Sequence, residues 1–537
     1  MPDLRRVAPE AVPLRFPQDS SESSTPTNRR KNRVREVRQL STQQSLNAVI
    51  WSVCDILRRS NCAGVMQYVP ELSWMLFLRI LDEREIRDAD EALAVGAEYA
   101  PSLEAPFRWQ DWAAPGGAKR RELEYGAMGS FFAFVNGELL PYLKGLKDRP
   151  AATPRQRVIS EILSGVERTR VDTEKNLLDV LDRVDAIHAE GIDSTHIFPI
   201  SQMYEGLLLR MGEKSNDGGQ FFTPREVIRV IVRSIDPKPG ETVYDPCCGT
   251  GGFLAQAYEH MRENLDQAAT GEMVETLKRR TIFGREKENL IYPIALANLV
   301  LHGVDEPHLW HGNTLTGQET YGGLFQDAPS LFDVIITNPP FGGKEGKEAQ
   351  THFAYKTGAT QVLFLQHIID QLKPGGRCGM VIDEGVLFRT TETAFVQTKR
   401  KLLDECDLYC ILSLPAGVFT AVGAGVKTNL LLFRKGVPTE RVWYYDLANI
   451  KVGKKTPLTM DRFEEFLRLL PERGDSERSW TISRQEIEAS GYDLKAVNPH
   501  AKGNQDARTP DELLDLIEAK GQEVVAALAA LRSISRS

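Results

Sequence analysis

Phe332-Asp333-Val334-Ile335-Ile336-Thr337-Asn338-Pro339-Pro340-Phe341 decides how this chain is read. The apolar, β-branched run from Phe332 to Thr337 has the composition of a buried strand, and two prolines cannot carry a sheet ladder onward. The backbone therefore leaves the sheet at Asn338. It presents an amide, the following carbonyls and an aromatic ring at the strand's carboxyl edge, where ligands of open α/β sheets bind. An amide oxygen and a backbone carbonyl accept the two N–H bonds of an exocyclic amine, and a ring stacks on the planar base that carries it.

Short apolar runs recur on both sides of this stretch: Thr242 to Asp245, Thr281 to Gly284, Gly379 to Ile382, Cys410 to Leu414 and Asn429 to Phe433. Helical patterns separate most of them, at Phe253 to Asn264, Leu290 to His302, Val362 to Leu372 and Thr393 to Leu403. This alternation predicts an α/β domain with a mostly parallel sheet covered on both faces. No stretch before residue 200 reads as a strand. Ser41-Thr42-Gln43-Gln44 resembles a capping box, and Leu46, Val49, Ile50, Val53 and Leu57 follow at helical spacing. A second helix is expected from about Pro70, with the proline in its first turn. Further helices are expected at Met128 to Leu143, Pro154 to Val166 and Glu174 to Ala189.

Four segments follow: a disordered basic tail (1–42), a helical domain (43–200), a catalytic α/β domain (201–475) and a C-terminal helical region (476–537). The last ends in an amphipathic helix, Pro510 to Leu531, of a kind that docks on its own chain or a partner.

The net charge of −8 argues against a chain that grips nucleic acid alone through a broad basic field. Seven cysteines fit no four-ligand zinc spacing, so a reduced, cytoplasmic protein is expected. No segment reaches the roughly eighteen apolar residues of a membrane span, and no metal is implied.

Thr242-Val243-Tyr244-Asp245-Pro246-Cys247-Cys248-Gly249-Thr250-Gly251-Gly252-Phe253 reads as strand, glycine-rich turn and helix start. It is neither the dinucleotide fingerprint nor a phosphate loop, and alone it equally suits a tight strand-to-helix connection. Glu286, just past the next strand, is placed to accept the hydroxyls of a ribose. Asn313, in the turn His311-Gly312-Asn313-Thr314-Leu315, is placed to meet an adenine edge.

In this order, the elements resemble the class I S-adenosylmethionine-dependent methyltransferases (Rossmann-like), and within them the modification (M) subunits of type I restriction-modification systems. The matching stretches are Gly219-Gln220-Phe221-Phe222-Thr223-Pro224, Asp245 to Phe253, Gly284-Arg285-Glu286, Gly312 to Leu315 and Asn338 to Phe341. Weaker matches run through Leu372 to Gly376 and Lys427-Thr428-Asn429. The resemblance implies transfer of a methyl group from S-adenosyl-L-methionine to adenine N6 in double-stranded DNA. Asn338, Pro339, Pro340 and Phe341 would act on a flipped adenine. Gln220, Phe222 and Thr223 would hold the methionine end of the cofactor. Asp245, Gly249, Thr250, Gly251, Gly252 and Phe253 would lie beneath it, with Glu286 on the ribose and Asn313 on the adenine. The family often has an acid where Asn313 stands.

Pro246-Cys247 mimics the nucleophile of cytosine-ring methyltransferases, but it sits in the cofactor turn, where a half-buried thiol is the better account. Little chain follows the last expected strand, so a separate specificity (S) subunit would read the DNA, beside a restriction (R) subunit. An RNA or protein-glutamine methyltransferase, or a silent scaffold in a DNA-bound assembly, are the alternatives.

Overall fold

The computed structural model describes residues 43–60, 62, 65–94, 96–187, 223–265, 270–419, 426–453, 456–500 and 510–534. The expected tail (1–42), the cap at Ser41-Thr42 and the stretch Gly219 to Phe222 lie outside the described residues.

Ten strands form one sheet: β1 Val243–Asp245, β2 Ile282–Glu286, β3 His308–Asn313, β4 Gln318–Tyr321, β5 Phe332–Thr337, β6 Leu372–Asp383, β7 Cys406–Ser413, β8 Thr428–Lys435, β9 Arg441–Asp446 and β10 Ser479–Ser483. Their order is β10-β9-β7-β8-β6-β5-β1-β2-β3-β4. The block β3-β2-β1-β5-β6 is parallel throughout. β8 enters antiparallel between β6 and β7, and the antiparallel β4 and β10 form the two edges. Chain order reverses about β1, with β2 and β3 on one side and β5 on the other. The carboxyl ends of β1 and β5 therefore flank a topological switch point, the place where such sheets bind ligands.

Alternate residues of the inner strands feed two cores. Val243, Val334 and Ile336 pack with Val227, Ile231 and Leu254 of the helices Arg225–Ile235 and Gly252–Glu263. Tyr244, Phe332 and Ile335 pack with Val362, Leu365 and Leu402 of the helices Thr360–Gln371 and Thr393–Glu405. Both faces are covered, as the unbroken apolar strands require.

The helix Tyr292–Leu301 is apolar on nearly every side. One side faces the sheet, and the other faces the helices Val65–Ala94 and Pro154–Leu163 of the preceding helical region. A helix buried on both sides needs no polar stripe. Charge pins the same junction. Asp305 accepts from Arg155 Nη2 at 3.2 Å and also pairs with Arg84, whose Nη1 donates to the Val300 carbonyl at 3.1 Å. Asp305 is only 7% exposed.

The strands expected from apolar runs are all present, and every helix expected after residue 43 has a counterpart, with four differences of detail. Pro70 lies inside the helix Val65–Ala94 and not in its first turn; near a helix start its missing N–H removes a single ladder bond. Glu286 is the last residue of β2 and Asn313 the last of β3, where loop positions were expected. β3, β4, β9 and β10 add to the expected set, because strand pairing imposes extension on stretches too polar or too aromatic to read as apolar runs. β10 also carries the sheet past the boundary expected at 475.

Asp305→Ala would leave Arg84 with the Val300 carbonyl and Arg155 with Glu85 and Asp88, and the loss of two charge-assisted bonds should cost about 2 kcal/mol. The thermal midpoint should fall, with Asp305→Glu recovering part of the loss. An unchanged midpoint would show that apolar packing alone holds the junction.

Candidate active site

Two clusters meet at the switch point. The first surrounds the glycine turn. Gly249 (φ 54°) and Gly251 (φ 80°) take left-handed conformations that other residues rarely adopt. A Cβ on Gly252 would come within 3.1 Å of Ile228 Cδ1, so a glycine lets the helix Gly252–Glu263 begin against its neighbour. Phe253 is buried in the next position. The Thr250 carbonyl accepts from Asn298 Nδ2 at 2.9 Å, which ties the turn to the apolar helix behind it. Glu286 closes the cluster. Its Oε2 accepts from Gly249 N–H at 2.9 Å and its Oε1 from the N–H groups of Lys287 and Glu288 at 2.8 and 2.7 Å.

Asp245 ends β1 at 1% exposure. Its Oδ1 accepts from Cys247 N–H at 3.1 Å and from the Thr337 hydroxyl at 2.6 Å. Thr337 has one proton and spends it on Asp245, so its 3.1 Å contact with Cys247 Sγ has the thiol as donor. Burial pushes that thiol well above its ordinary value, which leaves it a protonated hydrogen-bond donor. Burial also raises Asp245 and Glu286, each to about 7, against the hydrogen bonds that favour their ionised forms. Asn313 turns its Oδ1 inward to the N–H of Leu315 at 3.0 Å, and Thr314 Oγ1 donates to the Pro246 carbonyl at 2.6 Å. His311, beside Glu286 in register, stacks on Tyr292 with ring centroids 4.4 Å apart, and its buried Nε2 has no partner among the described residues.

The second cluster is the turn after β5. Asn338 Nδ2 donates to Thr223 Oγ1 at 3.0 Å, while Asn338 Oδ1 is buried and has no hydrogen-bond partner among the described residues. The Pro339 carbonyl accepts from Gln361 Nε2 at 3.0 Å. Phe341 is half-buried and meets Phe419 edge to face, centroids 5.2 Å apart at 75°. A cavity of about 290 Å³ opens beside the turn, lined among others by Gly343, Lys344, Gln361, Asp383 and Arg389.

The structure thus brings Asp245, Gly249 to Phe253, Glu286 and Asn313 to the carboxyl ends of β1, β2 and β3, with Thr223 and Asn338 to Phe341 joined to them through the Thr337–Asp245 bond. Gln220 and Phe222 lie outside the described residues. Thr337, Gln361 and Phe419 belong to the same constellation, although the sequence reading did not single them out. A glutamine directly before the apolar run Val362 to Leu365 was the one local signal for Gln361.

The profile of the N-6 DNA methylase family matches residues 194–507, and that of the HsdM N-terminal domain matches 46–184. The methylase subunit of the Escherichia coli type I restriction enzyme EcoEI is 33% identical over 502 residues, 89% of this chain and 95% of the relative. The chain belongs to the type I modification subunits. The EcoKI methylase subunit of Escherichia coli K12 is 31% identical to this modification subunit, over 85% of it and 82% of the relative. Among solved structures, one from a study of complex assembly in a type I system superposes with a TM-score of 0.69 at 37% identity, over 92% of the modification subunit and 99% of that chain. A protein described as a type I modification subunit from Vibrio vulnificus YJ016 gives 0.74 at 33%, over 86% and 98%. The modification subunit has the class I methyltransferase fold that its motifs implied.

The raised Asp245 carboxyl makes stability depend on pH. The folded chain holds that proton more tightly than the unfolded chain, so the stability it confers is complete below about pH 4 and is lost as pH rises toward 7. Without ligand, Asp245→Asn should therefore gain thermal stability over wild type in a gap that widens from pH 4 to 7 and then stays level. A gap that is constant across this range would contradict the assignment.

Proposed function

We propose that the chain methylates the exocyclic N6 of adenine in double-stranded DNA, with S-adenosyl-L-methionine as donor. The observation that carries this reading is the buried, unpartnered Asn338 Oδ1 beside the Pro339 carbonyl at a strand end. A buried acceptor left without a donor is costly, and a bound amine would satisfy it.

The crevice fits the donor molecule. Two buried carboxylates, Asp245 and Glu286, end adjacent strands around a turn whose left-handed glycines permit close approach. Beyond its three backbone bonds Glu286 retains one lone pair, on Oε2, for a ribose hydroxyl. Thr223 and the backbone of Gly249 to Phe253 would line the methionine side, with Gln220 and Phe222, and Asn313 would lie near the adenine. S-adenosyl-L-methionine supplies an electrophilic methyl on a sulfonium that leaves readily, so the chain's task is to bind and orient.

The adenine amine is a weak nucleophile, since its lone pair is delocalised into the ring. Bonds from that amine to Asn338 Oδ1 and the Pro339 carbonyl favour a pyramidal nitrogen and stabilise the charge that develops on it. Holding nitrogen, methyl and sulfur in line supplies most of the remaining gain. The target atom is out of reach in a duplex, so the base is extruded, with Phe341 as its stacking surface and Pro340 keeping the turn rigid.

The helical region matched at 46–184 favours a DNA modification subunit over an RNA or glutamine methyltransferase. We assign recognition to a specificity subunit, because the chain's charge is −8, and cleavage to a restriction subunit, in keeping with its type I relatives. The helix Pro510–Ile534 leaves Leu514, Ile517, Val524, Val525 and Leu528 exposed, a face suited to the specificity subunit. No described helix is long and apolar enough to cross a membrane, and we place the activity in the cytoplasm with the DNA.

Asn338→Ala should lower methyl transfer about 100- to 1,000-fold, since one preorganised polar contact to the reacting group is lost. Binding of labelled S-adenosyl-L-methionine should stay near wild type. Mass spectrometry of DNA digested after a fixed short reaction should find N6-methyladenine reduced in that proportion in the variant, and in the wild type only once the specificity subunit is added. Full activity in the variant would refute the assignment of the turn.

A further inference from the structure

We propose that Gln361 is a positioning residue that aims the Pro339 carbonyl at the target amine. This rests on the reading of the Asn338–Phe341 turn as the amine site.

Proline fixes φ at Pro339, and the ring of Pro340 confines its ψ to the extended region, a range of some tens of degrees within which the aim of the carbonyl is still to be set. The next residue is Pro340, which has no N–H, so the local chain offers no neighbouring donor to hold the peptide plane. Gln361 supplies one from the helix Thr360–Gln371, through the 3.0 Å bond from Nε2. Gln361 is 4% exposed, and its own amide is fixed because Oε1 accepts from Asp383 N–H at 2.9 Å. Turning the amide over would set N–H against N–H at Asp383 and oxygen against oxygen at Pro339. The assignment of its two ends follows from that network.

Asp383 is the last residue of β6, the strand beside β5, and it caps the helix Glu384–Phe388. The Pro339 carbonyl is thus braced against a neighbouring strand end. One of its lone pairs takes Gln361 and the other stays open to the amine. Thr223 does the corresponding work for Asn338 by accepting from Nδ2, which leaves Oδ1 facing inward. Each acceptor of the pair has its own brace.

The test uses the modification subunit assembled with its specificity subunit, unmethylated genomic DNA and tritium-labelled S-adenosyl-L-methionine, below the thermal midpoint of every variant. Gln361→Met keeps the volume and removes both hydrogen bonds. Gln361→Glu keeps the acceptor for Asp383 and donates to Pro339 only when protonated. Both should lower kcat about 10- to 100-fold at pH 8, the penalty of a misaimed group. KM for DNA and the Kd for the methyl donor should not change. As pH falls, the Glu variant should regain kcat relative to wild type, and the Met variant should not.

A Met variant with wild-type kcat would overturn the proposal. So would a loss carried by KM or Kd, or a Glu variant whose deficit ignores pH. Should the wild-type complex place no methyl on adenine N6, the reading of the turn fails instead, and that result is visible before any variant is compared.

Discussion

Asn338, Pro339 and Pro340 follow a buried strand with carbonyl oxygens and almost no backbone donors. The rest of the site depends on that imbalance. A strand that stops on ordinary residues spends its last carbonyls on a turn or a neighbour, whereas two prolines leave them without local partners. The surrounding fold then supplies donors selectively. Gln361 donates to one lone pair of the Pro339 carbonyl, whereas Thr223 accepts from the amide nitrogen of Asn338, and among the described residues Asn338 Oδ1 has no donor. Acceptors oriented in advance need no rearrangement when a partner arrives, and this is where such a site gains its advantage over water.

The same economy appears on the neighbouring strands. Asp245 and Glu286 are costly to bury, and each is held by hydrogen bonds from the backbone or from Thr337. Their burial places two acidic groups at the ends of β1 and β2, beside the glycine turn. Thr337 binds the halves together: it ends β5, precedes Asn338 and donates to Asp245 on β1. A shift of β5 against β1 would disturb both clusters at once.

Local signals carried far in this chain. The proline pair, the glycine turn and the alternation of strands and helices all lie in contiguous residues whose backbone preferences are strong. The parallel core and most of the site follow from them. The missing pieces are contacts made across sequence. Gln361 reaches back 22 residues to Pro339, and Thr337 reaches back 92 to Asp245. In sequence, a glutamine on a helix looks like a solvent-facing residue, and a threonine ending a strand looks like a β-former. β3, with two histidines, a tryptophan and a glycine, became legible as a strand only through its pairing with β2. β10 has the alternation of an edge strand, but its polar surroundings hide it.

The central claim is that Asn338 Oδ1 and the Pro339 carbonyl jointly receive the amine of an extruded adenine. A structure of the assembled complex, with a duplex containing its methylation site and an unreactive analogue of the methyl donor, tests it directly. The account predicts an unstacked adenine against Phe341, its N6 within hydrogen-bond distance of both oxygens, and Gln361 still bound to Pro339. An adenine amine held by other groups, with Asn338 Oδ1 still unpartnered, would contradict it.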